Sequence, residues 1–172
     1  MIATIQSLLP WLVLVSHCIL AFLIAAFVFR RSWGREAIGW VRKHVLGLGL
    51  LVSLLAVGGS LFYSNVVGFV PCDLCWWQRI FIYPQLVLFL TALKFKDRGV
   101  FKYSWRLAVL GTIVSLYHSY VQVSGSSLLP CSATASCTKV YVMAFNYVTI
   151  PSMALTVGVY FLLLALISRT NE

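Results

Sequence analysis

Charged side chains are scarce in this sequence. Only 10% of its 172 residues are Asp, Glu, Lys or Arg, whereas 61% are hydrophobic, and the mean hydropathy is +0.94. In a soluble domain about a quarter of the residues are charged. The shortage therefore argues against a chain folded around one water-soluble core and predicts an all-α membrane protein with several spans.

The sequence also lacks any basic residue ahead of its first apolar run, residues 8–29. A cleaved signal peptide carries positive charge there, so we interpret this run as a membrane anchor, with His17 and Cys18 as buried packing residues. Four further apolar runs are the other predicted spans: 45–63, 80–93, 107–123 and 150–167. We expect a single transmembrane domain, in which residues 45–167 form a four-helix core and the first span is additional.

Basic residues are confined to a few segments. Eleven of the thirteen fall in segments 30–44 and 94–106 and in the C-terminal tail, leaving only Arg79 and Lys139. The positive-inside rule places those segments in the cytoplasm, with the N-terminus outside and both cysteine pairs on the outer face. This placement explains the pI of about 9.6 without a nucleic-acid partner. We expect residues 139–148 to lie along the outer membrane interface.

Five cysteines sort by spacing into two pairs and one lone residue, Cys18. On the outer face, thiols that can pair usually do so. A bridge between Cys72 and Cys75 closes so short a loop that it constrains little of the unfolded chain, which favours an exchangeable redox centre over a structural bridge. For Cys131 and Cys137 the residues leave a mobile relay pair and a loop-closing disulfide almost equally open.

Metal and haem sites are poorly supported by the same cysteines. The five residues between Cys131 and Cys137 exceed the two to four that separate the cysteines of most zinc knuckles. A c-type haem needs histidine directly after the second cysteine, where this chain has Trp76. We therefore predict no resident metal.

Three further residues are candidates for the chemistry. Arg79 follows Cys75 by one helical turn on the same face and would stabilise a thiolate there, although it could instead contact lipid phosphate. His118, near the outer end of the fourth span, is either functional or a hydrogen-bonded packing residue. Trp76 could line a site for a flat redox ring or belong to an interfacial aromatic belt.

These residues resemble a known family. The pattern Cys72-x-x-Cys75-x-x-x-Arg79 at the outer end of a helix, followed by Cys131 and Cys137 before the last helix, is similar to the quinone-linked disulfide-bond formation proteins of the DsbB family. The short loop that carries Cys131 and Cys137, here called the second loop, and the later Thr149-Ile150-Pro151 resemble the BdbC branch. The likeness covers roughly residues 45–167.

The resemblance implies a four-helix bundle in the bacterial cytoplasmic membrane that reoxidises a secreted thioredoxin-fold oxidase of the DsbA/BdbD type. The electrons would pass to a membrane quinone, ubiquinone or menaquinone. In that scheme Cys131 forms the mixed disulfide with the partner and Cys137 attacks Cys72. Cys75 is then released as a thiolate facing the quinone and is stabilised by Arg79.

The resemblance also places His118 near the quinone, whereas Trp76 is a quinone-site candidate only as an aromatic residue beside the motif. The first span has no counterpart in the four-helix pattern, and the second loop is shorter than in other branches. Other readings stay open: a transporter or assembly subunit with two structural disulfides, a quinone-binding subunit with incidental cysteines, or a reductant that carries electrons outward. The last would need thiols accessible from the cytoplasm, and the predicted cytoplasmic loops contain none.

Overall fold

The computed structural model is helical almost throughout. It describes residues 2–127, 131 and 135–170, with side chains from Leu8 onward. The α-helices are α1 (Ile2–Val28), α2 (Arg35–Lys43), α3 (Val45–Leu61), α4 (Asp73–Phe95), α5 (Phe101–Ser124) and α6 (Ile150–Arg169). A π-helical turn, Phe62–Val66, continues α3, and a 3-10 turn, Arg98–Val100, leads into α5. Within the described ranges no β-strand forms, so the predicted all-α class is confirmed.

Four helical stretches in the described part of the chain are long and apolar enough to cross a membrane. They are Leu8–Val28, Val45–Val66, Arg98–Ser124 and Ile150–Arg169. Helix α4 is 23 residues long but is not among them, because Gln78, Arg79 and Gln85 lower its hydropathy. A multi-span membrane protein is thus confirmed, whereas the predicted count of five spans is not.

The segment predicted as a cytoplasmic loop, residues 30–44, contains the short helix α2. Its residues Ile38 and Val41 are buried, so the loop folds back against the bundle. At the turn before it, a Cβ on Gly34 would collide with the backbone of Ala26, which makes glycine necessary there. Sequence periodicity did not predict this helix because it is only nine residues long.

The segment expected at the membrane interface, residues 139–148, ends in a tight turn. An isolated β-bridge joins Ala144 to Val148, and Phe145 and Asn146 between them have φ angles of 51° and 60°. Thr149 then caps α6 through a capping box with Ser152, which fixes where the last helix begins.

Helix α1 is attached to α6 by polar contacts. The Tyr160 hydroxyl donates to the Ser16 carbonyl at 2.5 Å, and His17 Nε2 lies 2.8 Å from Thr156 Oγ1. The expected burial of Cys18 is wrong, because its side chain is exposed. One residue after His17, the helix has turned by about 100° and points Cys18 away from α6.

The core of the bundle depends on close approach of small residues. Phe89 is fully buried and packs between Phe161 and Phe101, with ring centroids 5.7 and 5.5 Å away. A Cβ on Gly49 would overlap the Phe89 ring. On α5, Gly111 faces α4, since a Cβ at this position would lie 3.1 Å from Cβ of Phe81.

The substitution Gly49→Ala tests this packing. The added methyl group forces the Phe89 ring against Phe101 and Phe161, and overpacking of this kind costs about 1–3 kcal/mol. We expect a lower thermal unfolding midpoint in detergent. The matched control is Gly47→Ala, since a Cβ at that position meets no atom within 4 Å. An equal midpoint for the two variants would contradict the packing role of Gly49.

Candidate thiol-disulfide site

The first cysteine pair lies at the N-terminal end of α4. Cys72 is the N-cap residue, in an extended conformation with φ −76° and ψ 173°. Its carbonyl accepts from the Trp76 amide at 3.1 Å, and Cys75 lies in the first turn. Unpaired backbone N–H groups give this end of a helix a positive potential that favours thiolates.

The two sulfurs of this pair lie close together as free thiols. Their Sγ atoms are 3.1 Å apart, and Nε2 of His118 on α5 lies 3.7 Å from Cys72 Sγ. Cys72 is 3% exposed and His118 is 2% exposed, whereas Cys75 is half-buried. Cys72 therefore lies enclosed between Cys75 and His118.

These neighbours determine the charge state of Cys72. The pKa of Cys72 is lowered to about 4, chiefly by the hydrogen bond with Cys75; burial raises it, and His118 lowers it by hydrogen bonding and by its charge. The same hydrogen bond, together with burial, raises the pKa of the Cys75 thiol, so Cys72 is the more acidic sulfur of the pair.

The second cysteine pair is a disulfide. Cys131 and Cys137 are joined at an S–S distance of 2.04 Å, and Cys137 is 1% exposed. Both pairs belong to one apolar cluster. Its members are Cys72, Leu74, Val121, Ala135 and Cys137, with Cys75, Tyr117 and Cys131 packed against it. The two cysteine pairs therefore pack in the same part of the bundle.

The chain after Cys137 is attached to the chain before Cys72. The Tyr141 hydroxyl donates to the Val70 carbonyl at 3.1 Å, and its ring stacks on Phe69 with centroids 4.7 Å apart. Lys139 Nζ lies 4.7 Å from the centroid of the same ring. Sequence reasoning missed Tyr141, because the signal, an aromatic residue shortly after the second pair, does not indicate its partner.

Arg79 contacts α3 and the aromatic residues of its own helix. Its Nε donates to Ser60 Oγ at 3.1 Å and one Nη donates to the Ser60 carbonyl at 3.4 Å. The guanidinium lies over the Trp76 ring at 4.9 Å and near the Tyr83 ring at 5.9 Å. We call Ser60, Trp76, Arg79 and Tyr83 the aromatic corner. The sequence does not indicate Ser60 as the partner of Arg79, because the two residues are 19 positions apart on different helices.

The predicted site residues thus form two neighbouring groups. The four paired cysteines and His118 lie in or beside the apolar cluster, and Arg79 and Trp76 lie in the aromatic corner. Helix α4 connects them, since Arg79 follows Cys75 by one turn. The placement of His118 at the Cys72 sulfur was not foreseen.

The charge state of Cys72 can be measured directly. In protein carrying Cys18→Ser, Cys131→Ser and Cys137→Ser, we expect thiolate ultraviolet absorbance to appear with a midpoint near pH 4. Cys75→Ala should move the midpoint up toward the ordinary value of about 8.5, because it removes the principal hydrogen bond to the thiolate. A midpoint that is the same with and without Cys75 would contradict this assignment.

Taken together, fold and site define a class: a helical membrane protein in which a free Cys-x-x-Cys pair packs against a second, disulfide-bonded pair. That is the class of membrane thiol-disulfide oxidoreductases. Comparison with known proteins identifies the family within this class. The family model described as "Disulfide bond formation protein DsbB" matches residues 42–168, and the chain belongs to this family. Helix α1 lies outside the matched region.

Curated relatives have corresponding names. The chain is 42% identical over 108 residues to "Disulfide bond formation protein C" of Bacillus subtilis, covering 61% of this chain and 78% of the relative. It is 38% identical over 129 residues to a "Probable disulfide formation protein" of Oceanobacillus iheyensis, covering 71% and 84%. A "SPbeta prophage-derived disulfide bond formation protein B" of Bacillus subtilis is 37% identical over 116 residues, covering 65% and 78%. No solved structure matches.

Proposed function

We propose that this protein reoxidises a secreted thioredoxin-fold disulfide oxidase and passes the electrons to a membrane quinone, ubiquinone or menaquinone. The observation that carries the proposal is the packing of both cysteine pairs in one apolar cluster. Reacting groups held together in this way exchange with little entropic cost. The family name supports disulfide formation; the partner and the acceptor are the proposed part.

The proposed orientation places both pairs on the outer face of the bacterial cytoplasmic membrane. It requires α4 to cross as a fifth span, with the N-terminus outside and the C-terminus inside. The distribution of basic residues supports this, since α2 carries Arg35, Arg42 and Lys43 at the opposite end of α3 from the cysteines.

The relay starts at the second disulfide. A thiolate of the reduced partner attacks Cys131, which breaks the Cys131–Cys137 bond, forms a mixed disulfide and releases Cys137 as a thiolate. Cys137 then attacks Cys72 of an oxidised Cys72–Cys75 pair, which joins Cys137 to Cys72 and releases the Cys75 thiolate.

Two further exchanges complete the transfer. The partner's second thiol displaces Cys131 and leaves the partner oxidised. Cys131 then attacks Cys137, re-forms the Cys131–Cys137 bond and leaves Cys72 and Cys75 as a dithiol. Two electrons have moved from the partner to the first pair, and this is the combination of disulfide and dithiol found in the structure.

The aromatic corner fits the head of a quinone. Ser60 uses only some of the guanidinium donors of Arg79, so the others can donate to a carbonyl oxygen, and the exposed Trp76 ring offers a flat surface beside them. A bound quinone supplies a two-electron, two-proton acceptor, which allows Cys72 and Cys75 to re-form their disulfide. Arg79 orients it and favours the Cys75 thiolate one turn away; His118 holds a proton at Cys72.

The non-enzymatic alternative, a transporter or assembly subunit with two structural disulfides, is less well supported. Structural bridges on an oxidising face are expected to be closed. The free thiols of Cys72 and Cys75, 3.1 Å apart, favour a pair that opens and closes.

The assay combines the purified protein with a reduced thioredoxin-fold oxidase and a soluble quinone, and follows thiol loss. We expect Cys75→Ser to abolish turnover. Arg79→Ala should raise the KM for quinone about tenfold or more, because a hydrogen bond from a charged group contributes about 1.5–3 kcal/mol. The matched control is Lys102→Ala, which removes an exposed basic residue of α5 away from the cysteines.

Two results would contradict the proposal. One is the absence of quinone-dependent thiol loss with the intact protein. The other is turnover by Cys75→Ser at the rate of the unaltered protein, which would make the first pair structural.

Tyr141 is expected to hold the second loop in position for the exchange. In protein carrying Cys18→Ser, Cys75→Ser and Cys131→Ser, oxidation can join only Cys72 to Cys137. Adding Tyr141→Ala should slow this step about tenfold, because a small misplacement of reacting groups is costly. With Tyr141→Phe, which keeps the ring and loses the hydroxyl, the rate of Cys72–Cys137 bond formation should lie between the rates with tyrosine and with alanine.

The control for this measurement is Tyr120→Ala, since Tyr120 is exposed on α5. Equal rates of Cys72–Cys137 bond formation with tyrosine and alanine at position 141 would rule out the positioning role.

A further inference from the structure

Three potential metal ligands converge where α4 begins beside α5. Among the described residues, the ligand atoms of Cys72, Cys75 and His118 all lie within 4.8 Å of one another. They combine two thiols with one imidazole, a set of soft and borderline donors that suits zinc and its heavier analogue cadmium.

Two of the three distances between the ligand atoms are close to those of a tetrahedral site. With zinc–sulfur bonds of about 2.3 Å and zinc–nitrogen bonds of about 2.0 Å, two sulfurs lie about 3.8 Å apart, and a sulfur and a nitrogen about 3.5 Å apart. Cys72 Sγ and His118 Nε2 are already 3.7 Å apart. The two sulfurs, at 3.1 Å, need to separate by well under 1 Å, and Cys75 is the half-buried member that can move.

The surroundings of His118 permit this coordination. Its Nε2 would bind the cation, which leaves the ring proton on Nδ1. That atom is buried and has no hydrogen-bond partner among the described residues, so no existing bond at Nδ1 is broken. The missing outer partner also predicts a weaker site than one built to retain a metal.

We propose that the reduced cysteine pair is a binding site for a soft divalent cation, with Cys72 Sγ, Cys75 Sγ and His118 Nε2 as its ligands. The cation takes the place of the proton between the two sulfurs, no electron is transferred, and the fourth position stays open. Disulfide formation removes both sulfur ligands, so binding and oxidation exclude each other. The proposal requires the dithiol and is independent of the partner and of the quinone.

The test uses cadmium and a chain with one thiol pair. In protein carrying Cys18→Ser, Cys131→Ser and Cys137→Ser, only Cys72 and Cys75 remain as thiols. Titration of the reduced protein should produce a thiolate-to-cadmium charge-transfer band that saturates at one ion per chain. Magnesium should produce none, since it prefers oxygen ligands. Protein oxidised with diamide should not give the band.

The histidine ligand is tested with a matched pair of variants. His118→Gln should weaken cadmium binding at least about tenfold, the lower end of what even an outer-shell change costs. His17→Gln alters a histidine that contacts α6 instead and should leave the affinity unchanged. Circular dichroism verifies that both variants remain helical.

X-ray absorption identifies the ligand atoms without a histidine variant. It is measured on the zinc-loaded protein that carries Cys18→Ser, Cys131→Ser and Cys137→Ser. We expect two sulfur neighbours and at least one nitrogen neighbour. The proposal is overturned by the absence of a charge-transfer band, by equal affinity after His118→Gln, or by a zinc shell without nitrogen. The quinone assay, run without added metal, tests the proposed function independently of cation binding.

Discussion

The structure depends on the enclosure of Cys72 where three parts of the chain meet. Cys72 is the N-cap residue of α4, contacts His118 of α5 and packs in the same cluster as Cys137 of the second loop. Because Cys72 and Cys137 are both nearly inaccessible, a bond between them would form away from water. A lone buried thiol is usually inert. Here burial in one cluster holds the two cysteine pairs close together, which would favour exchange between them.

The position of Cys72 is fixed from deeper in the bundle. Gln78 is buried and donates to Ser115 at 3.2 Å, one turn before His118 on α5. Gln85 donates to the Ser104 carbonyl at 3.1 Å. Polar contacts of this kind set the register of neighbouring helices in lipid, where apolar packing alone is less specific. Gln78 and Gln85, which lower the hydropathy of α4, are therefore also the residues that fix its register against α5 and so the position of its cysteines.

Features that depend on composition and spacing, such as helices and cysteine pairs, could be predicted from the sequence. Contacts between residues far apart in the chain could not. Hydropathy predicts helices, and the two pairs are recognisable from spacing alone. Spacing does not reveal that Tyr141 reaches Val70, or that Ser60 anchors Arg79. The exposed side chain of Cys18 and the separate helix α2 were also missed, because hydropathy does not say which face of a helix meets its neighbours.

The two sulfurs of the first pair have different surroundings, and this difference gives the proposed relay a direction. Cys72 is buried in the same apolar cluster as Cys137, and in the proposed relay it is the sulfur that a thiol of the second loop attacks. Cys75 is half-buried and lies one turn from Arg79, whose guanidinium is turned toward α3 and the Trp76 ring. Electrons entering at Cys72 would therefore leave past Cys75. The short spacing of the motif places one sulfur toward the second loop and the other near the aromatic corner.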